Sequence, residues 1–427
     1  MNCCIACGSK LPKEALFVLN DAPASAQDIP DAVEVLEDKG VTLGLYQCAE
    51  CGLVQFDCEP VSYYRDVIRA GGFSTTMIEL RRSQYRHLIE TYGLEGKKFI
   101  EIGCGRGEFI NVLREFPVEV YGMEHKEDLI AIARESGLCV WREFPETADQ
   151  IFAGDPECAG SQGPYDVFLS FNFLEHQPHP DVMLQAIYNN LKDDGMGLVT
   201  VPALEYIVEK GSYYELIRDH IAYYSFDTLR ALLENNGFQV LEEEMINRDT
   251  ISMIVRKKSA DEMAKAAGVT EVTVPDGKAW VCNTPITDAD VDRAQVSGDE
   301  KVQIVDALVK GHGITTGEVD ELLRDLEAQN KTFALWGASH QGFTLAATTP
   351  IRDHAKYIID SAPFKQGRFA PSSHLPIVPP DHFFEEPVDV IMIVAPGYSD
   401  EIAGVIRKRF GSDVRVLTLR TANIEEL

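Results

Sequence analysis

The middle of the chain alternates short apolar runs with segments in which apolar residues recur every three or four positions. The runs predict strands, and the longer spacing predicts helices. The strands are Lys98–Ile102, Val118–Met123, Tyr165–Ser170, Gly197–Val201, Phe238–Glu242 and Thr250–Arg256, and the helices are Glu108–Glu115, Asp128–Ser136, Pro180–Leu191 and Ser225–Asn236. This alternation indicates a mainly parallel sheet with helices on both faces, whose ligands bind at the carboxyl ends of the strands.

Two further segments flank this α/β domain. Residues 1 to about 70 are rich in cysteine and loop-like, whereas residues from about 300 onwards again alternate strands with helices. Between the two α/β segments, residues 258–300 have weak periodicity and many Ala, Asp, Gly and Pro residues, which is typical of an elaborated linker. We therefore divide the chain into domains at 1–72, 73–257 and 258–427, the last of which includes the linker.

Charge and composition narrow the class of protein. The 427 residues carry 68 acidic and 39 basic side chains, a net charge of −29, which repels nucleic acid and anionic membranes. No apolar run approaches the roughly 20 residues of a membrane span, and the amino terminus lacks a signal-peptide pattern. We expect a cytoplasmic protein with a small-molecule substrate, reduced cysteines without a disulfide framework, and a monomer or small homo-oligomer.

Two cysteine pairs lie in the first segment. Residues 4–8 and 48–52 both read Cys-x-x-Cys-Gly, a spacing that brings two thiolates to one metal from a tight turn. Four thiolates favour tetrahedral Zn²⁺. We predict a structural zinc held by Cys4, Cys7, Cys48 and Cys51, with Cys3 as an alternative to Cys4. A redox Cys-x-x-Cys pair, or two unrelated thiol pairs, is the competing interpretation.

A glycine turn follows the first strand of the middle domain. Residues 99–109 read Phe-Ile-Glu-Ile-Gly-Cys-Gly-Arg-Gly-Glu-Phe, so three alternating glycines let the backbone approach a ligand closely. The spacing differs from the G-x-G-x-x-G of dinucleotide binders, and it favours the amino-acid end of S-adenosylmethionine (SAM). The predicted SAM ligands are Glu101, Gly103, Gly105, Gly107, Glu124 and Asn172.

Glu124 ends the next strand, where its carboxylate would accept hydrogen bonds from both ribose hydroxyls. An acid plays the same part in NAD-binding domains, so Glu124 alone does not separate SAM from NAD. A plain turn between strand and helix is the remaining alternative for this segment.

Two histidines follow elements of the same domain. His176 lies in a loop after the strand at Tyr165–Ser170, and His220 precedes Ser225, the predicted N-cap of a helix. Imidazole is the side chain best able to take a proton near pH 7, and Asp219 is placed to orient His220. Taken alone, His176 is also compatible with a surface loop, and His220 with a polar helix entry that contains an incidental histidine.

The last segment has a second glycine loop. A strand at Thr332–Trp336 precedes Gly337-Ala338-Ser339-His340-Gln341-Gly342, and further strands are predicted at Tyr357–Asp360 and Val388–Ala395. This pattern predicts a second doubly wound unit, which either retains or has lost dinucleotide binding. Lys365 and Arg368 follow in a cationic turn that would either meet phosphate or be solvated.

With these pieces in this order, the chain resembles the three-domain C-methyltransferases that act on nucleotide-linked 4-keto deoxysugars. The resemblance rests on both cysteine pairs, the glycine turn, Leu174-Glu175-His176, and above all the run Asp360-x-x-Pro-x-Lys-Gln-Gly367-x-x-x-Pro371-x-x-His374-x-Pro-Ile377. It implies a class I SAM-methyltransferase fold in the centre, a zinc-binding amino-terminal domain and a second Rossmann-like domain at the carboxyl end.

The resemblance also implies roles for individual residues. His220 falls on the family's general base, His176 on a second active-site histidine, and Asp219 replaces a Glu; Ile217 and Arg218 stand where the family has Tyr and His. Tyr223, Lys365 and Arg368 are then predicted to bind the sugar nucleotide, while zinc stays remote and structural. An O- or N-methyltransferase, a non-catalytic scaffold that binds zinc and SAM, and a nicotinamide oxidoreductase are the alternative functions.

Overall fold

The computed structural model describes residues 2–66, 75–259, 262–263, 298–395 and 397–427. The predicted boundary at 72/73 and most of the predicted linker at 258–300 lie outside these ranges. Within them the strands form three sheets, one of four strands, one of seven and one of six.

The strands are β1 (Phe17–Ala22), β2 (Val41–Gln47), β3 (Val54–Phe56), β4 (Lys98–Ile102), β5 (Glu119–Glu124), β6 (Val140–Arg142), β7 (Tyr165–Phe171), β8 (Leu191–Pro202), β9 (Ala222–Tyr223), β10 (Phe238–Ile246), β11 (Thr250–Lys257), β12 (Phe333–Trp336), β13 (Ile358–Ile359), β14 (Ile377–Val378), β15 (Val390–Ile393), β16 (Arg415–Leu419) and β17 (Ile424–Glu426). The α-helices are α1 (Thr75–Tyr92), α2 (Glu108–Leu113), α3 (Glu127–Glu135), α4 (Pro180–Asn189), α5 (Leu204–Lys210), α6 (Phe226–Asn235), α7 (Gly298–Ala328), α8 (His340–Thr348), α9 (Ile351–His354) and α10 (Ser399–Phe410).

The central sheet has the order β10-β11-β8-β7-β4-β5-β6. Its five strands from β8 to β6 are parallel, whereas β10 and β11 are antiparallel to their neighbours. All six strands predicted for this domain are present, and Ser225 caps α6 by accepting a hydrogen bond from the Thr228 N–H at 3.2 Å. The α/β prediction is therefore confirmed, and β6 and α1 are elements that the sequence pattern did not reveal.

The amino-terminal segment is not a set of loops, as its sequence had indicated. Strands β1, β2 and β3 form an antiparallel sheet, and β3 pairs with β9 of the middle domain through Val54–Tyr223 and Gln55–Ala222. This pairing attaches the amino-terminal sheet directly to the segment that carries His220.

The carboxyl-terminal sheet has the order β14-β13-β12-β15-β16-β17, parallel except for β17. It confirms the prediction of a second α/β unit.

The hydrophobic cores cross the predicted domain boundaries. One core combines Leu19 and Leu45 of the amino-terminal sheet with Tyr213, Leu308 and Phe343. Another combines Cys48 and Leu53 with Ile102 of the central sheet.

Cys139 and Cys158 are joined by a disulfide. The expectation that the cysteines are all reduced is therefore wrong for this pair. The two residues are 19 positions apart in sequence, and no motif marks them.

Of the helices in the described ranges, none combines the length and apolar character needed to cross a membrane.

A close approach between two glycines fixes helix α7 against the end of α5. A Cβ on Gly311 would lie 2.2 Å from the Gly211 carbonyl oxygen, whereas a Cβ on Gly313, one half-turn further along α7, would meet no atom within 4 Å. The Gly311→Ala variant is expected to lower the free energy of unfolding by about 1–3 kcal/mol, because the backbones must separate. The Gly313→Ala variant should raise it by roughly 0.5–1 kcal/mol, because alanine favours the helix.

Urea denaturation of the two variants beside the parent protein measures both changes. Equal stability of the Gly311→Ala and Gly313→Ala variants would contradict the close packing of α7 on Gly211.

Candidate active site

The glycine turn between β4 and α2 has the backbone that the sequence predicted. Gly103, Gly105 and Gly107 have φ angles of 68°, 59° and 82°, in the left-handed region that favours glycine. A Cβ on Gly107 would lie 2.2 Å from the Leu138 Cδ1 atom, so no larger residue fits without repacking. The turn therefore presents bare backbone at the carboxyl end of β4.

Glu124 ends β5 beside this turn and is 1% exposed. Its Oε2 atom accepts the Gly105 N–H at 2.9 Å, and its Oε1 atom accepts the N–H groups of His125 at 2.8 Å and Lys126 at 3.0 Å. The Glu124 carboxylate and three backbone N–H groups thus converge at one edge of the sheet. A fixed carboxylate next to the backbone of a glycine turn fits the ribose and amino-acid ends of SAM.

The other two predicted SAM ligands lie at the same edge. Glu101 is fully buried in β4, and Asn172 follows β7 with a φ angle of 47°. The Asn172 Oδ1 atom accepts a hydrogen bond from the Thr200 hydroxyl at 3.1 Å, which holds this side chain against β8.

The Glu124→Gln variant is expected to weaken the binding of S-adenosylhomocysteine about 10–100-fold. The amide loses the charge and one acceptor atom, and hydrogen bonds to a charged group contribute roughly 1.5–3 kcal/mol. Isothermal titration calorimetry measures the change. The matched control is Glu127→Gln. The Glu127 side chain is 76% exposed and forms an ion pair with Arg142. Equal weakening in both variants would contradict the role of Glu124.

His176 and His220 face each other near the carboxyl end of β7. Their ring centroids are 4.7 Å apart and their planes are inclined by 79°. The His176 Nδ1 atom donates to the Asp219 carbonyl oxygen at 2.8 Å, so its Nε2 atom carries the lone pair when the ring is neutral. The structure therefore brings both predicted histidines together and fixes the tautomer of one of them.

Burial sets the protonation state of this pair. It lowers the pKa of His176, although the neighbouring Asp219 opposes the shift. Burial also lowers the pKa of His220 well below its usual value, and the positive charges that His176 and His340 would carry lower it further. Since both pKa values lie below the ordinary value of imidazole, both rings are neutral at neutral pH and can accept a proton.

Asp219 has a different role from the one that its sequence position indicated. Its Oδ2 atom accepts the Ala26 N–H at 2.9 Å, and its Oδ1 atom accepts the Tyr63 hydroxyl at 2.6 Å. Both carboxylate oxygens are thus engaged by the amino-terminal domain rather than by His220. Asp219 instead orients His176 through its own carbonyl oxygen, which corrects the prediction that its carboxylate orients His220.

The predicted substrate ligands all have partners within the protein. The Tyr223 hydroxyl accepts the Ile217 N–H at 2.7 Å and donates to the Ile217 carbonyl oxygen at 3.1 Å, which closes the loop around His220. The Lys365 Nζ atom donates to the Ala338 carbonyl oxygen at 2.7 Å. Arg368 donates to the Ile29 carbonyl oxygen at 2.6 Å. Their assignment to substrate stays a prediction.

The second glycine loop reaches the histidine pair from the carboxyl-terminal domain. Ser339 caps α8 by accepting the Gly342 N–H at 3.2 Å. The His340 Nε2 atom lies 3.3 Å from the Glu215 Oε2 atom, and the His340 ring is 6.4 Å from the His220 ring. A small cavity of about 10 Å³ next to His220 in sequence is lined from all three domains, by Ala26, Arg218, Asp219, His340 and Phe343 among others.

The amino-terminal domain also covers the carboxyl edge of the sheet. The Tyr64 ring meets the Phe144 ring at 6.0 Å, and the Asp66 carboxylate lies 2.7 Å from the His125 Nδ1 atom. Together with Tyr63, Glu175, Glu215 and His340, these are site residues that sequence reasoning did not single out for a role. The contacts Asp66–His125, Tyr63–Asp219 and Glu215–His340 span 59 to 156 positions in sequence, beyond the reach of any local motif.

The four predicted metal ligands are gathered in one cluster. The Cys4 and Cys51 sulfurs are 3.5 Å apart, as are those of Cys7 and Cys48, and all four lie within 4.8 Å of one another. Sulfurs at 2.3 Å from a tetrahedral zinc would be about 3.8 Å apart, so the cluster fits this ion. Cys3 is exposed and outside the cluster, which excludes it as the alternative ligand.

Two backbone turns shape the cluster. The Gly8 N–H donates to the Cys4 carbonyl oxygen at 2.9 Å and the Gly52 N–H to that of Cys48 at 3.1 Å, with φ angles of 73° and 78°. Gln55 of β3 accepts the Ile5 N–H at 2.9 Å and so ties the first turn to the strand that follows the second turn.

Comparison with known proteins agrees with this geometry. Residues 77–243 match the family model of a methyltransferase domain, and residues 300–415 match that of a C-methyltransferase C-terminal domain. The C-methyltransferase NovU of Streptomyces niveus is 23% identical over 371 residues, which cover 84% of this chain and 81% of that protein. A ubiquinone biosynthesis O-methyltransferase of Pseudomonas aeruginosa is 33% identical over 111 residues, 25% of this chain and 44% of that protein.

Among solved structures, the magnesium protoporphyrin IX methyltransferase of Synechocystis PCC 6803 with bound S-adenosylhomocysteine has a TM-score of 0.34 and 16% identity, covering 46% of this chain and 91% of that one. The range 77–243 that matches the methyltransferase family model contains the glycine turn and strands β4 to β8 of the central sheet. The chain is therefore a SAM-dependent methyltransferase with a class I, Rossmann-like central domain.

Proposed function

We propose that the chain methylates the carbon next to the ketone of a nucleotide-linked 4-keto deoxysugar. The observation that carries the proposal is the pair of imidazoles, 4.7 Å apart, at the sheet edge that holds the glycine turn. A C–H bond beside a ketone is acidic enough for such a base to remove its proton. The match of residues 300–415 to the C-terminal domain of C-methyltransferases supports transfer to carbon.

In the proposed reaction, His220 takes the proton and the electrons of the C–H bond move toward the ketone oxygen to give an enolate. Bound SAM supplies an electrophilic methyl group on a sulfonium centre. The enolate carbon attacks that methyl in line with the C–S bond, whose electrons stay on sulfur as the neutral thioether. Alignment of the two reactants contributes much of the rate.

His176 has a narrower role than the sequence indicated. Because its Nδ1–H is donated to the Asp219 carbonyl oxygen, the Nε2 atom of the neutral ring accepts and does not donate. A neutral His176 therefore does not stabilise the enolate oxygen by hydrogen bonding. We assign to His176 the positioning of His220, and to a backbone N–H the stabilisation of the oxygen.

A cation between the three domains supports an anionic acceptor. Arg218 lines the small cavity beside Asp219, and its guanidinium donates to the Ala24 carbonyl oxygen at 3.0 Å, although the protein as a whole is strongly acidic. A local cation of this kind compensates the negative charge of a nucleotide diphosphate. We further propose that Cys4, Cys7, Cys48 and Cys51 hold a structural zinc, which takes no part in the reaction.

The experiment incubates the protein with SAM and a panel of dTDP-, CDP- and GDP-4-keto sugars deuterated at the carbon beside the ketone. Transfer to carbon predicts a mass gain of one methyl and loss of deuterium from that carbon to solvent. An O- or N-methyltransferase would add the methyl and retain the deuterium. No product from any member of the panel, with S-adenosylhomocysteine bound, would overturn the sugar-nucleotide assignment.

A further inference from the structure

We infer that Glu175, His176 and His220 form a second metal site, separate from the cysteine cluster, that binds a divalent first-row transition metal. One ligand atom from each side chain lies within 4.8 Å of the other two. The Glu175 Oε1 atom is 3.9 Å from the His176 Nε2 atom, the nitrogen that carries the lone pair. Two imidazoles and one carboxylate thus converge at the carboxyl end of β7.

The surroundings of His176 are those of a metal ligand. Histidines that bind metals generally donate their other ring N–H to a carbonyl or carboxylate, which fixes the tautomer and the ring orientation. The His176 Nδ1–H makes this bond to the Asp219 carbonyl oxygen at 2.8 Å. Asp219 is itself held by hydrogen bonds from Tyr63 and Ala26, so the residue that orients His176 is fixed in turn by the amino-terminal domain.

Burial and donor type define the kind of ion. Glu175 is 2% exposed, so a cation beside it would interact with a carboxylate that water screens poorly. Two nitrogens and one oxygen suit Zn²⁺, Co²⁺, Fe²⁺ or Ni²⁺, whereas Mg²⁺ and Ca²⁺ prefer oxygen ligands alone. Ligands at about 2.0–2.1 Å from a tetrahedral zinc are roughly 3.4 Å apart. The three ligand atoms lie within 4.8 Å of one another, so each pair has to approach by no more than about 1.4 Å to hold the ion.

A metal at this position has a chemical consequence that rests on the proposed function. Three protein ligands leave one coordination position open to water or to the acceptor. The ion would occupy the lone pair of His220 that the proposed reaction uses as the base. The site is therefore inhibitory: a second equivalent of metal should stop the exchange of deuterium that the first equivalent, in the cysteine cluster, leaves unaffected.

The test titrates Co²⁺ into full-length protein that already holds one equivalent of zinc. We expect a second equivalent to bind with visible d–d absorption and without the ultraviolet thiolate-to-cobalt band that a cysteine site would give. The Glu175→Gln and His220→Asn variants should bind this equivalent at least about tenfold more weakly. The control is His87→Asn, which removes an exposed histidine whose Nε2 atom is 2.7 Å from the Glu242 carboxylate.

Absence of a second equivalent, or equal affinity in the parent and in the His220→Asn variant, would overturn the site. His220 is partly exposed, so this variant keeps the test decisive if the buried Glu175→Gln change prevents folding. Activation by the second equivalent would overturn its inhibitory role. Deuterium exchange by protein that holds only the first equivalent, zinc, tests the proposed function. Binding of the second equivalent, cobalt, tests the metal site, so the failure of one proposal is distinguished from the failure of the other.

Discussion

The His220→Asn variant is expected to lower kcat for methyl transfer about 10²–10⁴-fold, the usual contribution of a general base. Asparagine has nearly the same shape near the backbone but takes no proton at neutral pH. The ring of His220 is 4.7 Å from that of His176, whose orientation the Asp219 carbonyl fixes, so His176 should keep its place in the variant. Binding of S-adenosylhomocysteine should be unchanged, because the glycine turn and Glu124 are untouched.

Single-turnover kinetics and calorimetry on the same preparation measure the two quantities. The control is His374→Asn, since His374 is 43% exposed and pairs with Asp38 in the amino-terminal domain. Full turnover by His220→Asn would remove the assignment of the base. A loss of donor affinity comparable to the loss of rate would indicate damage to the donor site instead.

The second large effect is expected at the cysteine cluster. Structural zinc sites contribute about 10–16 kcal/mol, comparable with or larger than the roughly 5–15 kcal/mol that stabilises a whole protein. Removal of one thiolate by Cys48→Ser should therefore abolish zinc binding and unfold the amino-terminal domain. Because Cys48 and Leu53 share a core with the central sheet, the methyltransferase domain should lose stability as well.

Zinc content by atomic emission and the thermal unfolding midpoint measure this effect. Cys3→Ser is a close control, since Cys3 is the immediate neighbour of a ligand yet is exposed and outside the cluster. It should retain one zinc per chain and the parent midpoint. Retention of both by Cys48→Ser would contradict the metal site.

The middle domain was predictable because each of its signals is local. Apolar runs marked the buried strands, and the alternating glycines marked a turn in which the three glycines have positive φ angles. The Cys-x-x-Cys-Gly repeats marked the cysteine cluster, since only the turn geometry of five residues is needed to pair two thiols. The six predicted strands and the four clustered cysteines are all present in the structure.

The amino-terminal sheet and the partners of Asp219 were not predictable in this way. Strand β1 has the burial pattern of a half-exposed edge, and β9 is two residues long, so neither gives a clear periodic signal. The Asp219 carboxylate accepts a hydrogen bond from Ala26, 193 positions away in sequence, and not from its sequence neighbour His220 as predicted. Adjacency along the chain says little about contact when a loop turns consecutive side chains in different directions.

The most direct test of the account is a carbon NMR spectrum of the product made from ¹³C-methyl SAM and a nucleotide-linked 4-keto deoxysugar. Transfer by the imidazole pair at the glycine turn predicts a labelled methyl bonded to the ring carbon beside the ketone. A labelled methyl on oxygen or nitrogen would contradict carbon as the acceptor, and with it the role of His220 as the base.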